Sequence, residues 1–320
     1  MNKKITKEEI LKKSIKVVDK LINFVMIVFF LLLMLIGVYA IYDSYRIYDD
    51  SRLGDEIIKL RPKIEDGFSI EPLREVNPDI DGWIRIFDTN IDYPILYSKD
   101  NMNYLNVSYN GSYSTGGSIF IDYRNARDFK DDYTITYGHN MTTGQMYSDI
   151  KRYEEKRYFD NHLSGILYTA DGLYKVKILY FSLMNAYNDD AYNLLTYRNE
   201  RNGEILEMFE KRAFNKNSDF NGFADKLLLL STCDAFGSND RSALLAELIK
   251  VNDEEMREIE EGSSILLDGG KGDGGENDVE KAGKRLGCFF IIILIIIIII
   301  VVVRKIREKR REQKERKKQV

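Results

Sequence analysis

The chain has 320 residues, a formal net charge of −4, two cysteines and two histidines. That length allows one large domain or two small ones. With so few soft ligands, any metal ion would have to be held by carboxylates, and nothing is spaced for that, so no metal and no cofactor is expected. Residues 1–20 carry seven Lys against three acids and residues 304–320 carry ten Lys or Arg against three Glu, which leaves −15 for everything between. Basic residues that abut an apolar run are topology determinants or contacts for anionic membrane lipids. Nucleic acid is therefore not an expected partner.

In chain order, residues 21–42 are apolar except for Asn23, and residues 286–303 are almost pure Ile and Val. Each run is long enough to cross a hydrocarbon core, which needs about 20 residues. No small-residue cleavage site precedes the exit at 43–48, so the first run reads as a retained transmembrane helix. The basic flanks put both termini in the cytoplasm and residues 43–285 outside. The expected organisation is a cytoplasmic basic stretch (1–20), a transmembrane helix (21–42), a juxtamembrane helix over 45–61 with a connector up to 78, and a domain over 79–253. An acidic, glycine-rich flexible tether (254–285), a second transmembrane helix (286–303) and a basic cytoplasmic tail (304–320) follow.

Within the domain the period is two. Ile84 and Ile86 alternate with Arg85, and 91–97 reads as the return strand. Short strands follow at 117–122 and 133–139, helical composition at 145–158, and a hairpin at 165–169 and 174–185 closed by Asp171-Gly172. Residues 191–214 take a helical period before the apolar run that begins at Leu227. About eight short strands without βαβ alternation predict a mainly β fold, a closed or nearly closed barrel with a helical insertion.

Four successive leucines, 227–230, fit a strand buried on both faces that delivers Cys233 to its end. Turn formers Asp234, Gly237, Ser238, Asn239 and Asp240 follow, and Arg241 opens the next apolar run, which sets a thiol beside a guanidinium. A thiol with a pKa of about 8.5 is a poor nucleophile until a base or positive charge favours its thiolate. Arg cannot be the base, but it can neutralise an oxyanion. A buried structural cysteine beside a surface arginine is the bland alternative. His139, in Tyr-Gly-His-Asn-Met, is a second reactive group at a strand end. His162 lies between a helix and a strand and reads as structural or solvated. Cys288, at the edge of the second apolar run, cannot pair with an outward-facing Cys233, which leaves Cys233 a lone thiol.

Tyr-Gly-His-Asn-Met, Leu-Ser-Thr-Cys and the following arginine together resemble the sortases, membrane-anchored cysteine transpeptidases of Gram-positive bacteria, and class B most closely. The resemblance covers about 79–251. It implies an eight-stranded sortase barrel with Cys233 as nucleophile, His139 as general acid and base, and Arg241 as stabiliser of substrate and oxyanion. Thr232, Ser231, Asp234 and Asn140 rank second. The implied substrates are secreted proteins with an LPxTG-like or NPxTx-like sorting motif, and the acceptor is an amine of a peptidoglycan precursor or of a pilin lysine. The second apolar run is more like the pilus-assembling class C, yet no Asp-Pro-aromatic lid segment precedes Trp83. The rivals are a Cys–His endopeptidase and a non-enzymatic two-span receptor.

Overall fold

The structure, a computed structural model, describes residues 7–63, 69–185, 190–194, 202–233, 240–269 and 306–307. Helix α1 (Lys7–Asp50) carries exposed apolar side chains from Leu21 through Tyr42, and among the described residues it is the one helix long and apolar enough to cross a membrane. The second expected span, 286–303, the tail from 304 apart from Ile306 and Arg307, and the tether from 270 to 285 lie outside the described residues. Contacts divide the chain into two units, and the second, Arg46–Gly275, holds the sheet.

The juxtamembrane helix expected over 45–61 is broken. α1 runs on to Asp50, the chain turns through Ser51 and Gly54, and a five-residue helix α2 (Asp55–Lys59) follows. The break lets both Ser51 (3 % exposed) and Ile57 (0 %) reach the body of the domain, which one straight helix would not allow. α3 (Glu71–Val76) carries Pro72 in its first turn and buries Leu73.

Among the described residues nine strands follow in one sheet: β1 (Ile80–Ile86), β2 (Asp92–Tyr97), β3 (Ile119–Ile121), β4 (Tyr133–Gly138), β5 (Ser164–Thr169), β6 (Gly172–Asn185), β7 (Asn215–Lys216), β8 (Leu227–Cys233) and β9 (Asp240–Val251). The order β5-β1-β2-β3-β4-β8-β9-β6 closes on itself through β5–β6. The expected eight-stranded barrel is therefore present, with two-residue β7 added alongside β6 at Tyr180 and Phe181. Closure removes the unpaired edges that an open sheet would present. β2–β3 and β4–β8 run parallel, and the other pairs antiparallel.

The barrel interior is filled by Ile84, Ile95, Ile121, Leu167, Val176, Leu228, Leu230 and Leu244 with their neighbours. An outer layer on β4, β8 and β9 joins Ile135, Leu227 and Leu229 to Ile205, Leu206 and Phe209 of helix α5 (Asn202–Arg212). This is the helical insertion expected over 191–214, preceded by a 3₁₀ turn at Asp190–Tyr192. A third layer sets α2 and α3 on Trp83, Leu96 and Phe120.

One local expectation is sharpened and two are corrected. The stretch 145–158 is a 3₁₀ helix at Ser148–Glu154 followed by α4 (Lys156–Asn161), because Tyr147, Ile150 and Tyr153, all fully buried, recur every three residues and share one face at three residues per turn. The hairpin turn sits one residue earlier than Asp171-Gly172: Thr169 pairs with Gly172, whose φ of 141° is used at the first position of β6. The supposed tether begins as helix α6 (Asp253–Gly269). Its start is a capping box. Asn252 Oδ1 accepts the Glu254 and Glu255 N–H groups (3.0 and 2.9 Å), and Glu255 Oε2 accepts the Asn252 N–H (3.0 Å). Met256 is fully buried and Glu260 accepts the Tyr168 hydroxyl (2.6 Å), so α6 is bound to the barrel.

Candidate active site

β8 is where the two layers meet. Leu228 and Leu230 point into the barrel and Leu227 and Leu229 into the α5 layer, which is why the strand is leucine on both faces. It pairs in parallel with β4 from Tyr133↔Leu227 to Gly138↔Thr232, and antiparallel with β9 up to Cys233↔Arg241. His139 is the first residue beyond β4, Cys233 the last of β8 and Arg241 the second of β9. The register of three adjacent strands thus brings positions 139, 233 and 241 to one rim of the barrel. Asp234 falls in 234–239, outside the described residues.

His139 is half-buried, with Nε2 2.8 Å from the Leu105 carbonyl oxygen. An Nε2–H donated to that carbonyl leaves Nδ1 as the nitrogen available for proton transfer. Its own carbonyl accepts the Tyr147 N–H (3.1 Å). Before it, Gly138 lies against the fully buried Tyr147 ring, and a Cβ there would fall 2.8 Å from two ring carbons. Tyr147 and Thr136 share a hydrogen bond (2.9 Å), and burial pushes the Tyr147 phenol well above its ordinary pKa. His162, by contrast, stacks on Tyr158 with ring centroids 3.8 Å apart, its Nδ1 2.6 Å from the Tyr158 carbonyl, at the end of α4.

The second-rank residues have separate surroundings. Ser231 is fully buried and shares a hydrogen bond with the Tyr192 hydroxyl (2.8 Å). Thr232 is fully buried, and among the described residues its hydroxyl has no hydrogen-bond partner. Asn140 forms a β-bridge with Met146.

Two supports escape a reading of the sequence. The Leu105 carbonyl is one, and a backbone oxygen has no sequence signature. The other is the buried Asp122, which accepts Arg124 Nε and Nη2 (2.8 and 2.7 Å), the Tyr137 hydroxyl (2.9 Å) and Asn101 Nδ2 (3.0 Å). Burial alone would raise its pKa, but the Arg124 side chain and N–H together outweigh burial and hold it below the usual carboxylate range. Tyr137 in turn stacks on Tyr192 at 6.4 Å. The signal that could have pointed there is Ile-Asp-Tyr-Arg at the end of a strand, two residues of opposite charge flanking a tyrosine.

No protein-family model matches the chain. Sortase B of Listeria monocytogenes is 35 % identical over 167 residues, 52 % of this chain and 67 % of that protein. Sortase B of Staphylococcus aureus is 31 % identical over 185 residues, 57 % of this chain and 75 % of that one. The chain belongs to the sortase B family. Among solved structures, S. aureus sortase B aligns at a TM-score of 0.51 and 27 % identity, covering 57 % of this chain and 87 % of that one. A Streptococcus pyogenes class B sortase involved in pilus biogenesis aligns at 0.51 and 25 %, covering 57 % and 100 %. As a class B sortase the protein is a cysteine transpeptidase whose substrates are sorting-motif proteins and amine acceptors, and the non-enzymatic receptor is set aside.

Proposed function

We propose that this sortase is anchored by α1, with its catalytic domain outside the cytoplasmic membrane, and joins the sorting motif of secreted proteins to an amine of a peptidoglycan precursor through a thioacyl-enzyme. The observation that carries the reading is the register Gly138↔Thr232 and Cys233↔Arg241, which groups the candidate acid–base, nucleophile and cation on three neighbouring strands. The exposed apolar face of α1 and its basic start support the anchoring, by the positive-inside rule.

The chemistry follows from those side chains. The Cys233 thiolate attacks the carbonyl carbon of the motif's threonine, and its electron pair becomes the S–C bond while the carbonyl oxygen takes the negative charge. Arg241 faces that charge. A lost oxyanion donor typically costs about 100- to 1000-fold in rate. Collapse of the intermediate breaks the C–N bond, and His139 gives its proton to the departing amine. The incoming amine then attacks the thioester, His139 takes its proton, and the thiolate leaves. Leu105, holding the imidazole at Nε2, would keep the ring oriented through both halves.

A pilin lysine is the second acceptor in line, supported by the likeness to the S. pyogenes enzyme of pilus biogenesis. The test is incubation of the detergent-solubilised chain with LPxTG-like and NPxTx-like peptides and with peptidoglycan-type or lysine amines, with products read by mass. Transfer product is expected from one motif, and Cys233→Ala, His139→Ala and Arg241→Ala each remove it, whereas His162→Ala retains most of it. Product release at one rate with and without an amine would make the enzyme an endopeptidase. Equal damage from His162→Ala and His139→Ala would overturn the histidine assignment.

A further inference from the structure

We propose that Gln145 is a positioning residue for His139, acting by fastening the loop that follows the histidine to the last turn of α1. The inference rests on the reading of His139 as the acid and base. The two can fail separately.

The loop is tightly closed on itself. Asn140 bridges Met146, the Tyr147 N–H reaches the His139 carbonyl (3.1 Å), and the Gly144 N–H reaches the Met141 carbonyl (3.0 Å). Ser148 Oγ accepts the Met141 N–H (2.6 Å) and sits 2.8 Å from the Met141 carbonyl. Met146, only 4 % exposed, holds a left-handed φ of 56°, and its N–H donates to the Tyr93 hydroxyl (3.2 Å). A non-glycine residue keeps such a conformation only where its surroundings over-determine it. The backbone of His139 therefore follows this loop.

A side chain of the loop itself joins it to the end of α1. Gln145 is 6 % exposed, its Oε1 accepts the Thr143 hydroxyl (2.8 Å), and its Nε2 donates to the Tyr48 carbonyl at 2.8 Å. Tyr48 lies in the last turn of α1, where backbone carbonyls have no onward helical donor. Its other backbone donor, the Ser51 N–H, is a longer contact of 3.3 Å. The same turn packs into the barrel rim, since a Cβ on Gly116 would fall 2.7 Å from Ser51 Oγ and 3.5 Å from the Met141 terminal methyl. Gln145 thus caps a helix end from far along the sequence, and what it holds at its other end is the turn that carries the His139 carbonyl. An imidazole displaced by a fraction of an ångström still admits the peptide but transfers its proton poorly.

The test uses the full chain in detergent with Gln145→Glu, which keeps the shape and the acceptor for Thr143 but removes the donor, and Gln145→Met as a neutral second variant. Rates are normalised to the thiol titrated by a methanethiosulfonate reagent, so loss of folded protein does not count. kcat per titrated thiol is expected to fall about 10- to 100-fold with KM changed less than about twofold. In ¹³C-histidine spectra, where the chain has two histidines to assign, the His139 signal is expected to move or broaden while that of His162 stays in place. Wild-type kcat per thiol and an unmoved His139 signal, with His139→Ala inactive, would overturn this inference alone and leave Gln145 a helix cap. His139→Ala retaining transfer would overturn both readings.

Discussion

Replacing Gly138 by alanine tests whether packing beneath the rim sets the position of the residue above it. The added Cβ falls 2.8 Å from Cγ and Cδ2 of Tyr147 and 3.2 Å from Cγ1 of Ile119. The Tyr147 ring has nowhere to go: it is fully buried, and its hydroxyl is paired with Thr136, whose own hydroxyl donates to the Leu229 carbonyl (3.1 Å). Overpacking of this kind costs about 1–3 kcal/mol. For a unit of this size, taking about 2 kcal/mol at roughly 2–4 °C per kcal/mol, the melting temperature should fall by about 4–8 °C. The fluorescence of Trp83, the chain's one tryptophan and 1 % exposed, follows the transition. Because Gly138 adjoins His139, kcat for transfer should fall as well. Tyr147→Leu removes the colliding ring, so the double variant should be more stable than the sum of the singles predicts by about 1 kcal/mol or more. A Gly138→Ala protein that melts within about 1 °C of wild type and transfers at the same rate would refute the reasoning.

Two further outcomes follow from the buried polar contacts. Asp122→Asn should lower stability by about 3 kcal/mol at neutral pH, because it removes the buried carboxylate that accepts two Arg124 hydrogen bonds. The folded pKa of Asp122 lies below its unfolded value, so its contribution is complete above the ordinary carboxylate range and is lost as pH falls through the folded value. The gap between wild type and variant should then stay level from about pH 5 to 8 and narrow below about pH 4 in melts at stepped pH; a gap that widens in acid contradicts the assignment. Tyr192→Phe strands the buried Ser231 hydroxyl and should cost about 1–3 kcal/mol, while adding Ser231→Ala should recover most of the loss in the same melts.

The barrel was legible because its strands alternate and its turns carry Gly, Asn and Asp, and because the run 227–230 admits a strand buried on both faces. The pairing of Cys233 with Arg241 was legible for the same reason, being a local hairpin. What failed was composition averaged over too long a window. Residues 254–287 read as acidic and glycine-rich overall, yet Asn252 and Glu255 form a capping box at their start and Met256 is an interior residue. The helical composition of 145–158 was legible as such, and the three-residue repeat of Tyr147, Ile150 and Tyr153 is what makes its first part a 3₁₀ helix.

A different limit applies around His139. Its place beside β8 depends on a parallel pairing between strands far apart in the chain, for which no local signal exists. The ring is then held by the Leu105 carbonyl, and its loop by the Tyr48 carbonyl. Any amino acid would supply those oxygens, so neither leaves a trace in residue identity. The donors do leave one. A glutamine buried to 6 % exposure, or a histidine whose ring meets a backbone oxygen, implies an acceptor that the fold must bring to it. Searching a sequence for polar residues that must be buried and have no local partner is therefore a better guide to the supports of such a site than searching for the groups that support them.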